Sequence, residues 1–181
     1  MRFFSLSLAF LMPIAFASSI PHLHAKRGAE TNATLYAYGT NASSWPVAYG
    51  QSDGLLYITQ DPTATAGLVP LTWDLASITG ECWIANATFV NGTKAGSMYI
   101  MEQKDYAVGI LPQTRVAYLN GTVSGFALFA TQLVYNNNTL LEAQFWASAT
   151  NTSGVYGLVW TLDDSTPNGE FPVVVKASED S

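Results

Sequence analysis

The sequence predicts an all-β domain: an antiparallel β-sandwich or barrel of about a dozen short strands, with little helix. Three observations carry this. Runs of branched and aromatic residues recur, with turn signals about every 8 to 12 residues. Apolar residues make up 49% of the 181-residue chain and charged ones 11%, so many strands can be covered on both faces. The stretch from Thr139 to Leu162 reads as two strands, T-L-L-E-A-Q-F-W-A-S-A-T and V-Y-G-L-V-W-T-L, around an Asn-Thr-Ser-Gly turn. Both arms are apolar on both faces for most of their length, the pattern of strands in the middle of a sheet.

Taken in order, Ala33 to Tyr38 alternates as a strand and ends in the loop Gly39-Thr-Asn-Ala-Ser-Ser44. Trp45 to Tyr49 and Leu55 to Thr59 flank Gly50-Gln-Ser-Asp-Gly54, a hairpin signal, and Asp61-Pro62 begins another turn. Leu71, Leu75 and Ile78 have helical spacing, between Pro70 and Gly80, and predict one or two helical turns at most. Trp83 to Val90, Ser97 to Glu102, Ala107 to Leu111 and Arg115 to Leu119 read as strands. A long apolar run from Phe126 to Tyr135 and a last strand from Phe171 to Lys176 complete the set. Leu55 to Val69 also resembles Ser97 to Leu111, with Tyr57 on Tyr99, Ile58 on Ile100 and Gly67 on Gly109: either a weak internal repeat, or two strand-turn-strand units alike through composition.

The N-terminus reads as an address. Met1-Arg2, the apolar stretch Phe3 to Phe16 and Ala15-Phe16-Ala17 make a secretory signal peptide over residues 1–17. A short pro-segment, 18–27, ends at the dibasic pair Lys26-Arg27, which leaves a single domain over 28–181 that starts at Gly28. The expected location is extracellular or cell-wall associated. No later run is long enough to span a bilayer, and no membrane span is expected. The mature chain would hold Lys94, Lys104, Arg115 and Lys176 against 13 acidic residues, which disfavours a nucleic-acid partner. Seven sequons, at Asn32, Asn41, Asn86, Asn91, Asn120, Asn137 and Asn151, predict a glycoprotein; Asn91-Gly92 and Asn120-Gly121 are also hairpin-turn dipeptides.

What remains of the chemistry is narrow. His22 and His24 both lie in the segment expected to be removed, so triads and imidazole metal sites are excluded from the mature chain, and neither metal nor cofactor is expected. Cys82 is the one cysteine; it reads as a buried, inert thiol beside Trp83 or as half of an intermolecular disulfide. Extracellular hydrolysis would then need a carboxylate pair. Glu142 is the foremost acid, because it lies within an apolar strand and by strict alternation shares a face with Gln144 and Trp146. A carboxylate, an amide and an indole in a row form a sugar-binding surface; the alternative is an exposed Glu142 with Trp146 in the core. Asp74, Glu81, Glu102, Asp105 and Asp163 are the possible acid partners, all near turns. Asp164 to Glu170 resembles part of a calcium loop but lacks its middle acid and closing Glu, so it reads as a turn. Of the five tryptophans, Trp73, Trp83, Trp146 and Trp160 are candidates for the core, whereas Trp45, beside Pro46 and a sequon loop, is the one expected to be exposed as a second ligand-binding ring.

Tyr36-Ala-Tyr-Gly-Thr-Asn41, Asp53-Gly-Leu-Leu-Tyr-Ile58 and Ser153-Gly-Val-Tyr-Gly-Leu-Val-Trp160 resemble stretches of small secreted proteins of filamentous fungi, a functionally uncharacterised group. The resemblance implies a fungal source and secretion and carries over no catalytic residue. The functional expectation is a secreted, glycosylated β-domain that acts by binding glycans or a cell-surface protein rather than by catalysis. Two alternatives stand beside it: a carboxylate-pair glycosidase, and a carrier of a small apolar ligand held inside a closed sheet.

Overall fold

A computed structural model describes residues 29–80, 82–112, 123–137, 140–161 and 169–178, with the backbone alone at Asn137. The expected signal peptide, the expected pro-segment with its histidines, Glu81, the strand expected over Arg115 to Leu119, Asn120, Asp163 and most of the turn expected over 164–170 lie outside the described residues. Thirteen strands and no helix are present among those described: β1 (Glu30–Gly39), β2 (Ala42–Gly50), β3 (Leu56–Thr59), β4 (Leu68–Leu75), β5 (Asn86–Phe89), β6 (Lys94–Met101), β7 (Ala107–Leu111), β8 (Phe126–Phe129), β9 (Gln132–Asn137), β10 (Leu140–Glu142), β11 (Phe145–Ala149), β12 (Val155–Trp160) and β13 (Phe171–Ser178). No helix among them is long and apolar enough to cross a membrane.

The strands close on themselves. The path β1, β13, β11, β12, β7, β6, β5, β4, β2 and back to β1 is an antiparallel, barrel-like ring of nine strands. Closure removes the exposed edges that an open sheet would leave. Strand β3 bridges β2 and β12, because β12 pairs with β3 through Val155 to Gly157 and with β7 at Val159. The hairpin β8–β9 hangs from β13 at Lys176↔Gln132, and β10 lies beyond it at the free end of the sheet.

Alternation decides what fills the ring. In β13, Phe171, Val173, Val175 and Ala177 point inward while Pro172, Val174, Lys176 and Ser178 are exposed. Leu35 and Ala37 of β1, Phe145 and Ala147 of β11, and Leu158 and Trp160 of β12 meet them in one core. Trp73, Trp160, Phe126 and Phe145 are fully buried, so the interior is packed with side chains. This is the filled-barrel arrangement rather than a ligand-holding one.

Two sequence expectations change. Leu71 and Leu75 fit a helical period, but they also fit period two with Trp73 between them. All three are buried on β4, and Trp73 pairs with Ala33 and Ala87, so the segment is strand and not helix. The expected continuous run from Phe126 to Tyr135 folds back at Ala130, whose φ of 56° makes a tight reversal between β8 and β9. The resemblance between Leu55–Val69 and Ser97–Leu111 has no counterpart in pairing: β6 and β7 form a hairpin, whereas β3 pairs with β2 and β12.

Candidate functional site

The predicted row of Glu142, Gln144 and Trp146 is divided. The chain changes partners at Ala143-Gln144: Glu142 belongs to β10 and sits opposite Tyr135 of β9, whereas Trp146 belongs to β11 and sits between Val159 and Pro172. The Gln144 carbonyl accepts the Thr161 N–H at 3.1 Å, and its Oε1 is buried without a hydrogen-bond partner. Trp146 is half-buried on the outer face of the barrel, a face shared with Pro172, Val174 and Tyr38, over whose ring Lys176 Nζ stands at 5.3 Å. Trp45 is half-buried rather than exposed: its ring lies 6.0 Å from Tyr156, which stacks edge-on against Phe171 at 5.0 Å, and the three close one end of the core.

Those possible acid partners that are among the described residues lie on other elements than Glu142. Asp74 is on β4, where its Oδ1 accepts the Asn32 N–H at 3.2 Å, and Glu102 and Asp105 are in the turn between β6 and β7. Cys82 is exposed, not buried, while the Trp83 indole N–H beside it donates to the Gly80 carbonyl at 2.8 Å. Of the sequons, Asn32, Asn41, Asn91 and Asn151 are exposed, and Asn86 is half-buried with its Oδ1 accepting the Ser97 hydroxyl at 2.8 Å.

A different place gathers side chains of complementary chemistry. The β2–β3 turn, β6, β7 and the β6–β7 turn enclose a groove of about 590 Å³. Tyr49, Tyr99 and Leu111 line its apolar part, and Gln51, Asp53, Gln103 and Lys104 its polar part. Strand β6 explains the apolar part, because it is buried on both faces. Met98 and Ile100 enter the core, while Tyr99, 4% exposed, points the other way. Tyr99 pairs with Gly109, and only glycine fits there: a Cβ would stand 2.9 Å from the Gly54 carbonyl oxygen and 3.2 Å from the Tyr99 ring. The contact is needed because Gly54 O accepts the Ile110 N–H at 2.9 Å, which pins the β2–β3 turn to β7 and sets the width of the groove.

No family model matches this chain, and neither a curated protein nor a solved structure does. Its chemistry is therefore read from its own side chains. Asp53 is held by the Leu55 N–H at 3.0 Å on Oδ1 and by the Tyr57 hydroxyl at 2.5 Å on Oδ2. Burial, then the hydrogen bond and charge of Asp53, push the Tyr57 phenol up to about 12. Burial, with a smaller contribution from Tyr49, also raises the Tyr99 phenol. Both phenols stay neutral at ordinary pH and act as hydrogen-bonding groups, not bases. The opposite wall is strained, since Asp105 and Tyr106 take left-handed φ values of 48° and 56°, each costing about 1–2 kcal/mol. Hydrogen bonds from Lys104 N to Met101 O, Ala107 N to Lys104 O and Trp160 N to Tyr106 O hold the turn in that shape. Among the described residues no cluster of three His, Cys, Asp or Glu side chains is present to hold a metal.

Sequence reasoning located the turn Gly50 to Gly54 but missed the groove. The signal that points to it is β6 itself: Ser97, Tyr99 and Met101 alternate with Met98 and Ile100, so both faces are too apolar for one to lie open to water.

Proposed function

We propose that this is a secreted, glycosylated binding module that recognises a glycan at a fungal wall or a host surface, through the groove between the β2–β3 and β6–β7 turns. The observation that carries the reading is the convergence of tyrosine rings with two amides, a carboxylate and an ammonium group in one groove on a closed, filled barrel. Apolar faces of sugar rings suit Tyr49, and their hydroxyls suit Gln51, Gln103, Asp53 and Lys104. Binding is favoured over hydrolysis because Asp53 is the groove's one carboxylate among the described residues and already accepts two hydrogen bonds. The leader over residues 1–27 supports the secretory part of the reading, and the exposed sequons support the glycosylated part.

The test is a glycan-array screen followed by titration calorimetry on the secreted protein. The Gln103→Ala/Lys104→Ala double variant alters only turn side chains, so it should fold and bind its glycan about tenfold or more weakly, a loss near 1.4 kcal/mol. Trp146→Ala should bind as wild type does. A wild type that binds no glycan would refute the reading, and a loss confined to Trp146→Ala would move the site to the outer face of β11. Release of sugar from the bound glycan would instead identify a hydrolase. Asp105 and Glu170, which line a neighbouring depression of about 300 Å³, would then be the acids to replace.

A further inference from the structure

Beside the proposed site, and sharing Tyr49 and Gln51 with it, lies a second groove of about 600 Å³ whose walls are almost entirely apolar: Tyr49, Val69, Pro70, Phe89 and Val90, with Asn91 at its border. Phe89 is half-buried, its ring set edge-on against Tyr49 at 5.4 Å, and Val90 is 73% exposed. A chain with few charges and positive mean hydropathy, +0.17, gains nothing from leaving such a surface wet.

Asn91 is the acceptor of the sequon Asn91-Gly92-Thr93, and the local backbone is built around it. The Gly92 N–H donates to the Phe89 carbonyl at 2.8 Å, and the Phe89 N–H donates to the Thr93 carbonyl at 2.8 Å. Gly92 takes a φ of +82°, so the four-residue turn continues into a glycine bulge. Asn91 Oδ1 accepts the Thr93 N–H at 2.9 Å, which leaves the amide nitrogen as the atom that carries a glycan. The ring at Phe89, two residues before the acceptor, and the acceptor itself border one groove.

We propose that this groove is the seat of the chain's own Asn91-linked glycan, whose first N-acetylglucosamine lays its apolar face on Phe89 and Tyr49. A tethered sugar has a millimolar or higher effective concentration at the groove, so a weak ring contact suffices to hold it there. The seated glycan covers Phe89 and Val90 and forms one wall of the neighbouring site. The proposal rests on the secretory, glycosylated reading given above.

Mass spectrometry of the secreted protein separates the two. Glycan found at other sequons but not at Asn91 overturns the seat and leaves the secretory reading standing, whereas no glycan at any sequon ends both. With Asn91 occupied, thermal unfolding completes a double-mutant cycle. Removing the glycan by Asn91→Gln, or independently by Thr93→Ala, should lower Tm by about 2–4 °C. In a Phe89→Leu background, which keeps an apolar side chain but no ring, Thr93→Ala, which keeps the Asn91 Oδ1 acceptor, should leave Tm unchanged, and Asn91→Gln should lower it only by the loss of the bond from the Thr93 N–H to Asn91 Oδ1. An equal drop in both backgrounds, or no drop in either, would overturn the proposal.

Discussion

The pair Tyr57 and Asp53 shows how a single residue ties the turn to the groove. The phenol hydrogen-bonds the carboxylate four residues back while Leu55 donates its N–H to the same group, so Asp53 is fixed from two sides at the border of the groove. The Tyr57 pKa stands above its ordinary value of 10.0, at about 12. A group whose folded pKa is raised contributes stability that is complete below the unfolded value and is lost as pH climbs to the folded one. Wild type should therefore lose stability between pH 10 and about 12 more steeply than Tyr57→Phe, although the variant is the less stable of the two at neutral pH. Urea unfolding midpoints across that range check this; parallel curves would show that the pair contributes nothing. Asp53-Gly54 was legible in the sequence as a turn, but its partner was not, because Tyr57 reaches Asp53 only once β3 registers against β2 at Ala48↔Tyr57. The same limit explains Glu142. Alternation holds only while a strand keeps its partners, and nothing in T-L-L-E-A-Q-F-W marks the point where the chain leaves β9 for β12 and β13.

Among the elements, those with a strong local signal were readable and those with two compatible periods were not. The turn glycines Gly54, Gly92 and Gly154 all have positive φ, and each ends a hairpin that the sequence marked with Asp-Gly, Asn-Gly or Ser-Gly. β4 was ambiguous because Leu71 and Leu75 satisfy both spacings, and the choice falls to what Trp73 can bury against, Ala33 and Ala87, which are distant in sequence. The β8–β9 hairpin carried no glycine at all. Ala130 supplies its left-handed residue at a half-buried position, at a cost of about 1–2 kcal/mol for a side chain with a Cβ. Replacing it with glycine relieves that cost but adds freedom to the unfolded chain, so Ala130→Gly should raise stability by about 0.5–1 kcal/mol. Chemical denaturation of the variant measures this, and a destabilised Ala130→Gly would mean that the turn is not strained.

At the scale of the whole molecule, the ring is strong everywhere but at one seam, and the proposed site lies on that seam. β1 and β13 run in register from Thr34↔Ser178 to Gly39↔Val173, and β6 and β7 from Ser97↔Leu111 to Met101↔Ala107. β12 and β7, by contrast, meet at Val159↔Ala107 alone, helped by the bridge Leu55↔Gly109 and by the bonds Trp160 N to Tyr106 O and Ile110 N to Gly54 O. Gly54 and Leu55 belong to the β2–β3 turn and Tyr106 to the β6–β7 turn, the two turns that wall the groove, so opening the seam widens the site. Local opening of this kind has a free energy below that of global unfolding. Native-state hydrogen exchange should therefore find the amides of Ile110 and Trp160 exchanging through a low-energy opening, while Leu35, Ala37 and Val175 on β1 and β13 exchange only with global unfolding. Binding of a glycan in the groove should slow the first set and leave the second at the global limit. Equal protection at the seam and at β1–β13, with or without ligand, would show instead that the barrel opens as one unit and that the groove is rigid on its own.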